Sequence, residues 1–215
     1  FAGILQSNPV NFVDSEKIVK LWFHESERIY ADRLIEHTHI KQYIDIAIDT
    51  VKKAFPRNAV LRHYQGEGAE PMIFCHFPQG YQGDKVYDSC SFLDTEKWVK
   101  EALSNHNDEK AAMNLVLFQD AIKHVCKITR IVSNSSGHAL LVGVGGSGKQ
   151  SLAKLSAYIK EYVVFSITVS QSYNLGDLKT DLLTAGWLTT LVMLAVSLWE
   201  SRLQRGRPQA GPRDH

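Results

Sequence analysis

Residues His138-Ala-Leu-Leu-Val-Gly-Val-Gly-Gly-Ser-Gly-Lys-Gln-Ser151 decide the fold of this chain. The apolar run 139–142 is typical of a fully buried strand in a parallel sheet. It continues into Gly-x-x-x-x-Gly-Lys from Gly143 to Lys149, which is the spacing of a phosphate-binding loop. The residues that follow predict a helix, with apolar positions that include Leu152, Leu155, Ala157 and Ile159. Strand, loop and helix together predict phosphate binding, and an ordinary glycine-rich turn is the alternative.

The residue types of the loop explain how it would hold phosphate. Glycines let successive backbone N–H groups turn toward one anion, and the helix N-terminus adds the positive end of its dipole. Lys149 is expected to reach the outer phosphates as a point charge. Gln150 stands where such loops carry the Ser or Thr that ligates magnesium, and Ser151 follows one place late. Magnesium ligation is therefore in doubt, and the predicted phosphate-binding residues are Gly143, Val144, Gly145, Gly146, Ser147, Gly148, Lys149, Gln150 and Ser151.

The neighbouring segments predict an α/β domain. Residues 162–169 are rich in β-branched and aromatic residues, as in a strand, and complete a βαβ unit of a parallel sheet with flanking helices. Apolar residues at helical spacing predict a helix over 115–128 before the loop and further helices over 1–55. The clearest stripe comprises Ile40, Tyr43, Ile44, Ala47, Ile48 and Val51. Between these helical parts, glycines and prolines indicate a connector with short strands and one short helix around Trp98.

Composition narrows the classes of function. The chain has 215 residues, of which 44% are hydrophobic and 22% charged, as in an ordinary globular protein. A net charge of +1 gives no electrostatic reason to expect nucleic acid as a partner. The three cysteines, Cys75, Cys90 and Cys126, have no metal-ligand spacing and form no obvious disulfide framework. We therefore expect a reduced, intracellular protein without a metal site, and a chain that starts at Phe1 rather than Met suggests part of a longer protein.

The C-terminal tail differs from the rest. From Leu182 to Trp199 there are eighteen consecutive residues without a charge, followed by a basic end rich in glycine and proline. Eighteen apolar residues just reach the length of a transmembrane helix. Thr184, Gly186 and Thr189 weaken that interpretation, so a membrane partner is not the leading expectation.

Several longer motifs resemble the heavy chains of axonemal dyneins. Residues 21–25 (Leu-Trp-Phe-His-Glu), with Arg28 and residues 32–34, resemble the helical end of one AAA+ module. The start of the next module is resembled by residues 113–121, 124–128 and 139–152. The phosphate loop, with Gln150 after the lysine, is similar to the loop of the fourth AAA+ module of these dyneins. The resemblance covers roughly residues 1–183. It implies a partial AAA+ P-loop nucleotide-binding domain, preceded by an α-helical small subdomain.

The resemblance implies that the chain is divided into four segments. Residues 1–60 would be the small subdomain of the third module, and residues 61–110 the connector. Residues 111–183 would open the large P-loop domain of the fourth module, and residues 184–215 form a divergent tail, apolar and then basic.

The same resemblance implies a role and a location. The family is a ring of six AAA+ modules that moves along microtubules in cilia, and its third and fourth modules bind nucleotide in mainly regulatory roles. On this basis the cofactor is ATP or ADP, with Leu115, Val116 and Leu117 against the adenine. Arg28 would be the arginine that senses nucleotide in the third module, although an ion pair with Asp32 on the same helix explains an arginine at this position equally well. Implied partners are other dynein modules and the intermediate and light chains, with microtubules contacted only indirectly.

The departures from the family suggest binding without hydrolysis. No second acidic (Walker B) motif follows the phosphate loop, so we assign no catalytic residue and expect negligible hydrolysis by this chain alone. A truncated product or a partial gene model would fit this ending. One alternative function is a non-catalytic interaction piece with a vestigial loop, and another is a tail-anchored membrane protein.

Overall fold

The computed structural model describes residues 2–55, 73–135 and 137–187 of the chain. Within these residues the helices are α1 (Ala2–Gln6), α2 (Ser15–Ile29), α3 (His37–Ala54), α4 (Phe92–Glu109), α5 (Gln119–Val132), α6 (Lys149–Ile159) and α7 (Leu175–Trp187). The strands are β1 (Ile73–Cys75) and β2 (Asp88–Cys90), and 3₁₀ turns cover Pro9–Asn11 and Ala31–Arg33. Part of the predicted connector, 56–72, and most of the predicted tail, 188–215, lie outside the described residues.

The predicted N-terminal helices pack against each other. The side chain of Asp14 accepts a hydrogen bond from the backbone N–H of Glu16 at 3.2 Å, which caps the start of α2. The core between α2 and α3 consists of Val19, Phe23, Ala47, Ile48 and Val51. Its three α3 residues belong to the apolar stripe noted in the sequence, so the helical periodicity of this region is confirmed.

A second core lies beneath the phosphate loop. It joins α4, α5, α6 and β1 through Ile73, Cys75, Val99, Ala102, Ile122, Val125, Cys126, Leu155 and Ile159, among others. The predicted helix before the loop is present as α5, although it begins at Gln119 rather than near residue 115. Leu115 and Leu117 pack against the core from the non-helical segment that precedes α5.

A buried carboxylate joins α2 to α5. Glu25 is fully buried, and the Nε of Arg130 donates to its Oε1 at 2.9 Å and to its Oε2 at 3.1 Å. A second guanidinium nitrogen, Nη2, also donates to Oε2. The Tyr87 hydroxyl donates to Oε1 at 2.7 Å, and the backbone N–H of Gly3 donates to Oε2 at 3.0 Å. A buried charge is stable only when it is paired and hydrogen-bonded, so this cluster fixes α2 against the helix that packs on α6.

The protonation states in this cluster follow from its contacts. Burial alone would raise the pKa of Glu25, but hydrogen bonds from His24, Arg130 and Tyr87, with the Arg130 charge, hold that pKa well below its usual range. Burial lowers the pKa of His24 to about 4, so this imidazole is neutral at pH 7. Its Nδ1 lies 3.3 Å from Glu25 Oε1 and its Nε2 lies 3.3 Å from Arg28 Nη1. These partners assign the proton to Nδ1.

The described residues do not contain the predicted parallel sheet. Their one sheet is the antiparallel pair of β1 and β2, with Ile73 opposite Cys90 and Cys75 opposite Asp88. Residues 139–142 have no regular secondary structure, and Val142 is 76% exposed; within 162–169 only Val163 takes part in a bridge. A parallel strand makes its ladder hydrogen bonds with strands beside it, and no strand is paired along either run in the described part of the chain.

The described helices bear on the membrane alternative. Among residues 2–55, 73–135 and 137–187, no helix is both long enough and apolar enough to cross a membrane. Helix α7 ends at Trp187 and so includes only the beginning of the uncharged run 182–199.

Candidate phosphate-binding site

The loop enters α6 through two glycines in the left-handed conformation. Gly146 has φ of 77° and Gly148 has φ of 76°, a region that costs a residue with a Cβ about 1–2 kcal/mol. Gly148 directly precedes α6, and its carbonyl accepts a hydrogen bond from the Leu152 N–H at 2.9 Å. No side chain caps this helix end, and the N-terminus of a helix attracts anions through its backbone amides and its dipole.

Lys149, the first residue of α6, folds back over the loop. Its Nζ donates to the carbonyl oxygens of Gly143 and Val144 at 2.8 and 2.7 Å, and to the Ser147 hydroxyl at 3.1 Å. These three acceptors are neutral oxygens. A phosphate oxygen carries negative charge and forms the stronger, charge-assisted hydrogen bond with an ammonium group, so it would compete well for this lysine.

The segment predicted to lie against the adenine is next to the loop. A Cβ atom built on Gly148 would lie 3.4 Å from Leu115 Cδ1. Leu115 and Leu117 are half-buried, whereas Val116 is 77% exposed, so only the two leucines turn toward the protein. The structure therefore brings Leu115 to the loop and places the Val116 side chain in solvent.

Asn107 on α4 holds this segment, and sequence reasoning missed it. Its Oδ1 accepts the Met113 N–H at 2.8 Å, and its Nδ2 donates to the Met113 carbonyl at 3.3 Å. The Leu115 N–H in turn donates to the same carbonyl at 3.0 Å. Asn107 thus acts as a two-point clamp on the residues that lead to Leu115. Nothing in the polar pattern of α4 distinguishes it from neighbouring polar residues.

Gln150 and Ser151 occupy the second and third positions of α6. Gln150 is exposed and Ser151 is half-buried. In the part of the chain that the structure describes, no group of three or more His, Cys, Asp or Glu side chains could hold a metal ion.

Arg28 makes the helix pair that the sequence offered as an alternative to nucleotide sensing. Its Nε lies 2.9 Å from Asp32 Oδ2, and its Nη2 lies 3.3 Å from Glu27 Oε2. Asp32 also pairs with Lys127 of α5 at 2.9 Å. Ion pairing therefore accounts for the position of Arg28 within this chain.

A cavity of about 710 Å³ lies at the other end of α6. Its lining includes Tyr81, His106, Met113, Lys154 and Tyr158, and none of the loop residues 143–151 belongs to it. The phosphate loop is instead an open surface, on which residues 142–147 are exposed.

Two separate segments of the chain match models of known protein families. Residues 113–191 match the model of the P-loop containing dynein motor region D4. Residues 1–59 match the model of the AAA+ lid domain. The two matches contain the phosphate loop and the helices α2 and α3, respectively.

Individual relatives give the same result. The chain is 49% identical over 183 residues to the dynein alpha chain of the flagellar outer arm from Chlamydomonas reinhardtii, which covers 85% of this chain. It is 42% identical over 184 residues to dynein axonemal heavy chain 17 from Mus musculus, and 41% identical over 184 residues to a ciliary dynein beta chain from Tripneustes gratilla; each match covers 86% of this chain. In all three cases the chain spans 4% of the length of the relative.

Proposed function

The chain belongs to the dynein heavy chain family, and on that premise we propose that it is a nucleotide-binding segment of an axonemal dynein heavy chain. ATP or ADP is the ligand. The backbone of residues 143–151 and the Lys149 ammonium hold the phosphates, and the segment Leu115, Val116, Leu117 lies against the adenine. The observation that carries this proposal is that one loop has Lys149 Nζ 2.8 Å from its Gly143 carbonyl and Leu115 Cδ1 3.4 Å from a Cβ built on its Gly148.

The chemistry of the loop suits a polyphosphate. Two left-handed glycines, an uncapped helix end and a lysine are the elements of an anion site made mainly of backbone. A nucleotide would take over the Lys149 ammonium from the loop carbonyls, which already lie 2.7–2.8 Å from it. The reach of the lysine across the loop supports this exchange.

The proposed role is binding rather than hydrolysis by this chain alone. Phosphoryl transfer needs magnesium and a residue that positions the attacking water, besides the lysine and the loop. Gln150 offers no hydroxyl at the usual magnesium position, and residues 113–187 supply no second acidic motif that we could assign. Magnesium would reach this site mainly through the phosphates of the nucleotide.

The two family matches support the proposed domain organisation. Residues 1–60 form the small subdomain of one AAA+ module, and residues 111–183 begin the large domain of the next, with 61–110 as connector and 184–215 as a divergent tail. In the complete module, residues 139–142 and 162–169 join a parallel sheet. Their apolar, β-branched composition and the exposure of Leu140 and Val142 support that role.

The location and partners come from the relatives. Their names place them in the flagellar outer arm, the axoneme and the cilium. We expect this chain to act in the ciliary axoneme, beside the other modules of a dynein ring and with intermediate and light chains. Microtubule contact would be made elsewhere in the heavy chain, and neither nucleic acid nor a membrane is an expected partner.

Binding of a fluorescent ATP analogue to the purified 215-residue chain tests the proposal. Saturable binding should weaken at least tenfold in Lys149→Ala, equivalent to about 1.4 kcal/mol. The matched control is Lys154→Ala, an exposed lysine on the same helix, for which affinity should change less than twofold.

The alternative function predicts a different result. The contacts of Lys149 with its own loop would equally suit a vestigial site in a non-catalytic interaction piece. Equal binding by wild type and Lys149→Ala, or no binding by a folded and monodisperse chain, would refute nucleotide binding at this loop and favour that alternative.

A further inference from the structure

Two cysteines of the small sheet face each other diagonally. Because Ile73 is opposite Cys90 and Cys75 is opposite Asp88, the side chains of Cys75 and Cys90 lie on the same face of the sheet. The two thiols are close enough for each to shift the pKa of the other, and the Cys90 thiol donates to the Pro78 carbonyl at 3.9 Å. Cys126 of α5 belongs to the same apolar cluster, and all three cysteines are free.

The two thiols differ in exposure and in acidity. Cys75 is fully buried, and burial raises its pKa. Cys90 is half-buried, directly before the Ser91 N-cap of α4. The nearby Cys75 thiol is the main cause that lowers the pKa of Cys90 to about 7, against the opposing effects of burial and the Asp94 charge. A thiolate beside a helix N-terminus and accessible to solvent is the reactive form of cysteine.

We propose that Cys90 and Cys75 form a reversible oxidation site, with a hydroperoxide as the oxidant. The Cys90 thiolate attacks one peroxide oxygen, the O–O bond breaks, and Cys90 becomes a sulfenic acid while hydroxide leaves. The Cys75 sulfur then attacks the Cys90 sulfur, an S–S bond forms, and the sulfenic hydroxyl leaves as water with the Cys75 proton. Overall two thiols and one hydrogen peroxide give one disulfide and two waters.

The geometry requires a small movement of the sheet. Diagonal neighbours on antiparallel strands have Cα atoms about 7–8 Å apart, and a disulfide needs at most about 6.8 Å. The strands would therefore approach by about 1 Å at this point. Each strand has three residues, and the connection between them turns at Gly80 with φ of 117°, so the ladder is short.

Cys75 is a better partner for Cys90 than Cys126 is. Cys75 lies on the same face of the small sheet as Cys90 and is the main cause of its lowered pKa, whereas Cys126 is on α5. Burial also raises the pKa of Cys126 to about 12, so it reacts less readily by itself. A crosslink between Cys75 and Cys90 would enclose Tyr87, whose hydroxyl holds the buried Glu25, and would fix that contact.

Peptide mapping of the folded 215-residue chain tests the site. After treatment with stoichiometric hydrogen peroxide, mass spectrometry without reductant should find the Cys75 and Cys90 peptides joined, and dithiothreitol should release them. Cys126→Ser should leave the crosslink intact. In Cys75→Ser the sulfenic acid of Cys90 should persist and be captured by dimedone.

The wild-type result decides the question even if a variant fails to fold. A Cys90–Cys126 crosslink, or oxidation of Cys90 to sulfinic acid without any crosslink, would overturn the proposal. Equal modification of all three cysteines in a chain that stays folded by circular dichroism would do so too, because the proposed site requires Cys90 to react first.

Discussion

Neutralising the buried Glu25 should destabilise the protein more than neutralising a half-buried glutamate that pairs with an exposed lysine. In Glu25→Gln the side chain keeps its shape, but Arg130, whose side chain is 11% exposed, is left without a charged partner. Breaking a buried pair from one side costs about 3–5 kcal/mol. The amide oxygen can still accept one hydrogen bond, so we expect the lower end, about 3 kcal/mol. That is a large part of a total stability of about 5–15 kcal/mol.

Urea unfolding at pH 7.5, followed by circular dichroism, measures this loss. The matched control is Glu96→Gln, whose carboxylate pairs with Lys100 at 2.7 Å with side-chain exposures of 58% for the lysine and 29% for the glutamate. An exposed pair is worth about 0–1 kcal/mol, so the control should stay close to wild type.

The double variant Glu25→Gln/Arg130→Met separates the unpaired charge from other effects. Because it removes the orphaned guanidinium, it should recover part of the stability lost in Glu25→Gln. If Glu25→Gln loses less than about 1 kcal/mol, or no more than Glu96→Gln, the assignment of a buried, paired charge is wrong.

Two further predictions concern acidity and the loop. Burial lowers the pKa of His24 to about 4 and of His76 to about 3, both from 6.5, so the unfolded chain binds more protons below pH 6.5. The free energy of unfolding should therefore decrease as the pH is lowered, by about 1.4 kcal/mol per histidine between pH 7.5 and 5.5. In urea titrations, His76→Phe should lose about half of this pH dependence. A wild-type profile that does not change with pH would contradict the assignment. Gly148→Ala places a Cβ at φ of 76° and should lower the free energy of unfolding, measured by thermal unfolding, by about 1–2 kcal/mol. In the control Gly83→Ala, where the nearest atom to the new Cβ is 3.5 Å away, this free energy should change by less than about 0.5 kcal/mol. Equal losses in the two variants would argue against a strained turn at Gly148.

Local patterns in the sequence predicted the helices and the loop. The stripe that includes Ala47, Ile48 and Val51 gave α3, because a helix face is encoded by residues three and four apart. Gly143 to Lys149 gave the loop, because glycine and lysine at fixed spacing describe a local backbone shape.

Contacts between distant residues could not be predicted in this way. No local pattern indicates that Glu25 is buried, because its contacts are with Tyr87 and Arg130, 62 and 105 positions away. The clamp by Asn107 and the approach of Cys75 to Cys90 likewise depend on how separate elements meet. The predicted strands at 139–142 and 162–169 met the apolar pattern, but a strand also needs a neighbour, which the pattern does not supply.

The Glu25–Arg130 contact limits how modules could be exchanged between related heavy chains. Glu25 lies in the segment that matches a lid, and Arg130 lies in the segment that matches the following P-loop region. The two matched segments are therefore joined by a buried ion pair. A chimera joined between residues 59 and 113 would combine a carboxylate from one parent with a guanidinium from another. Such a swap succeeds only where both parents keep the pair, or where the junction is moved so that both partners come from one parent.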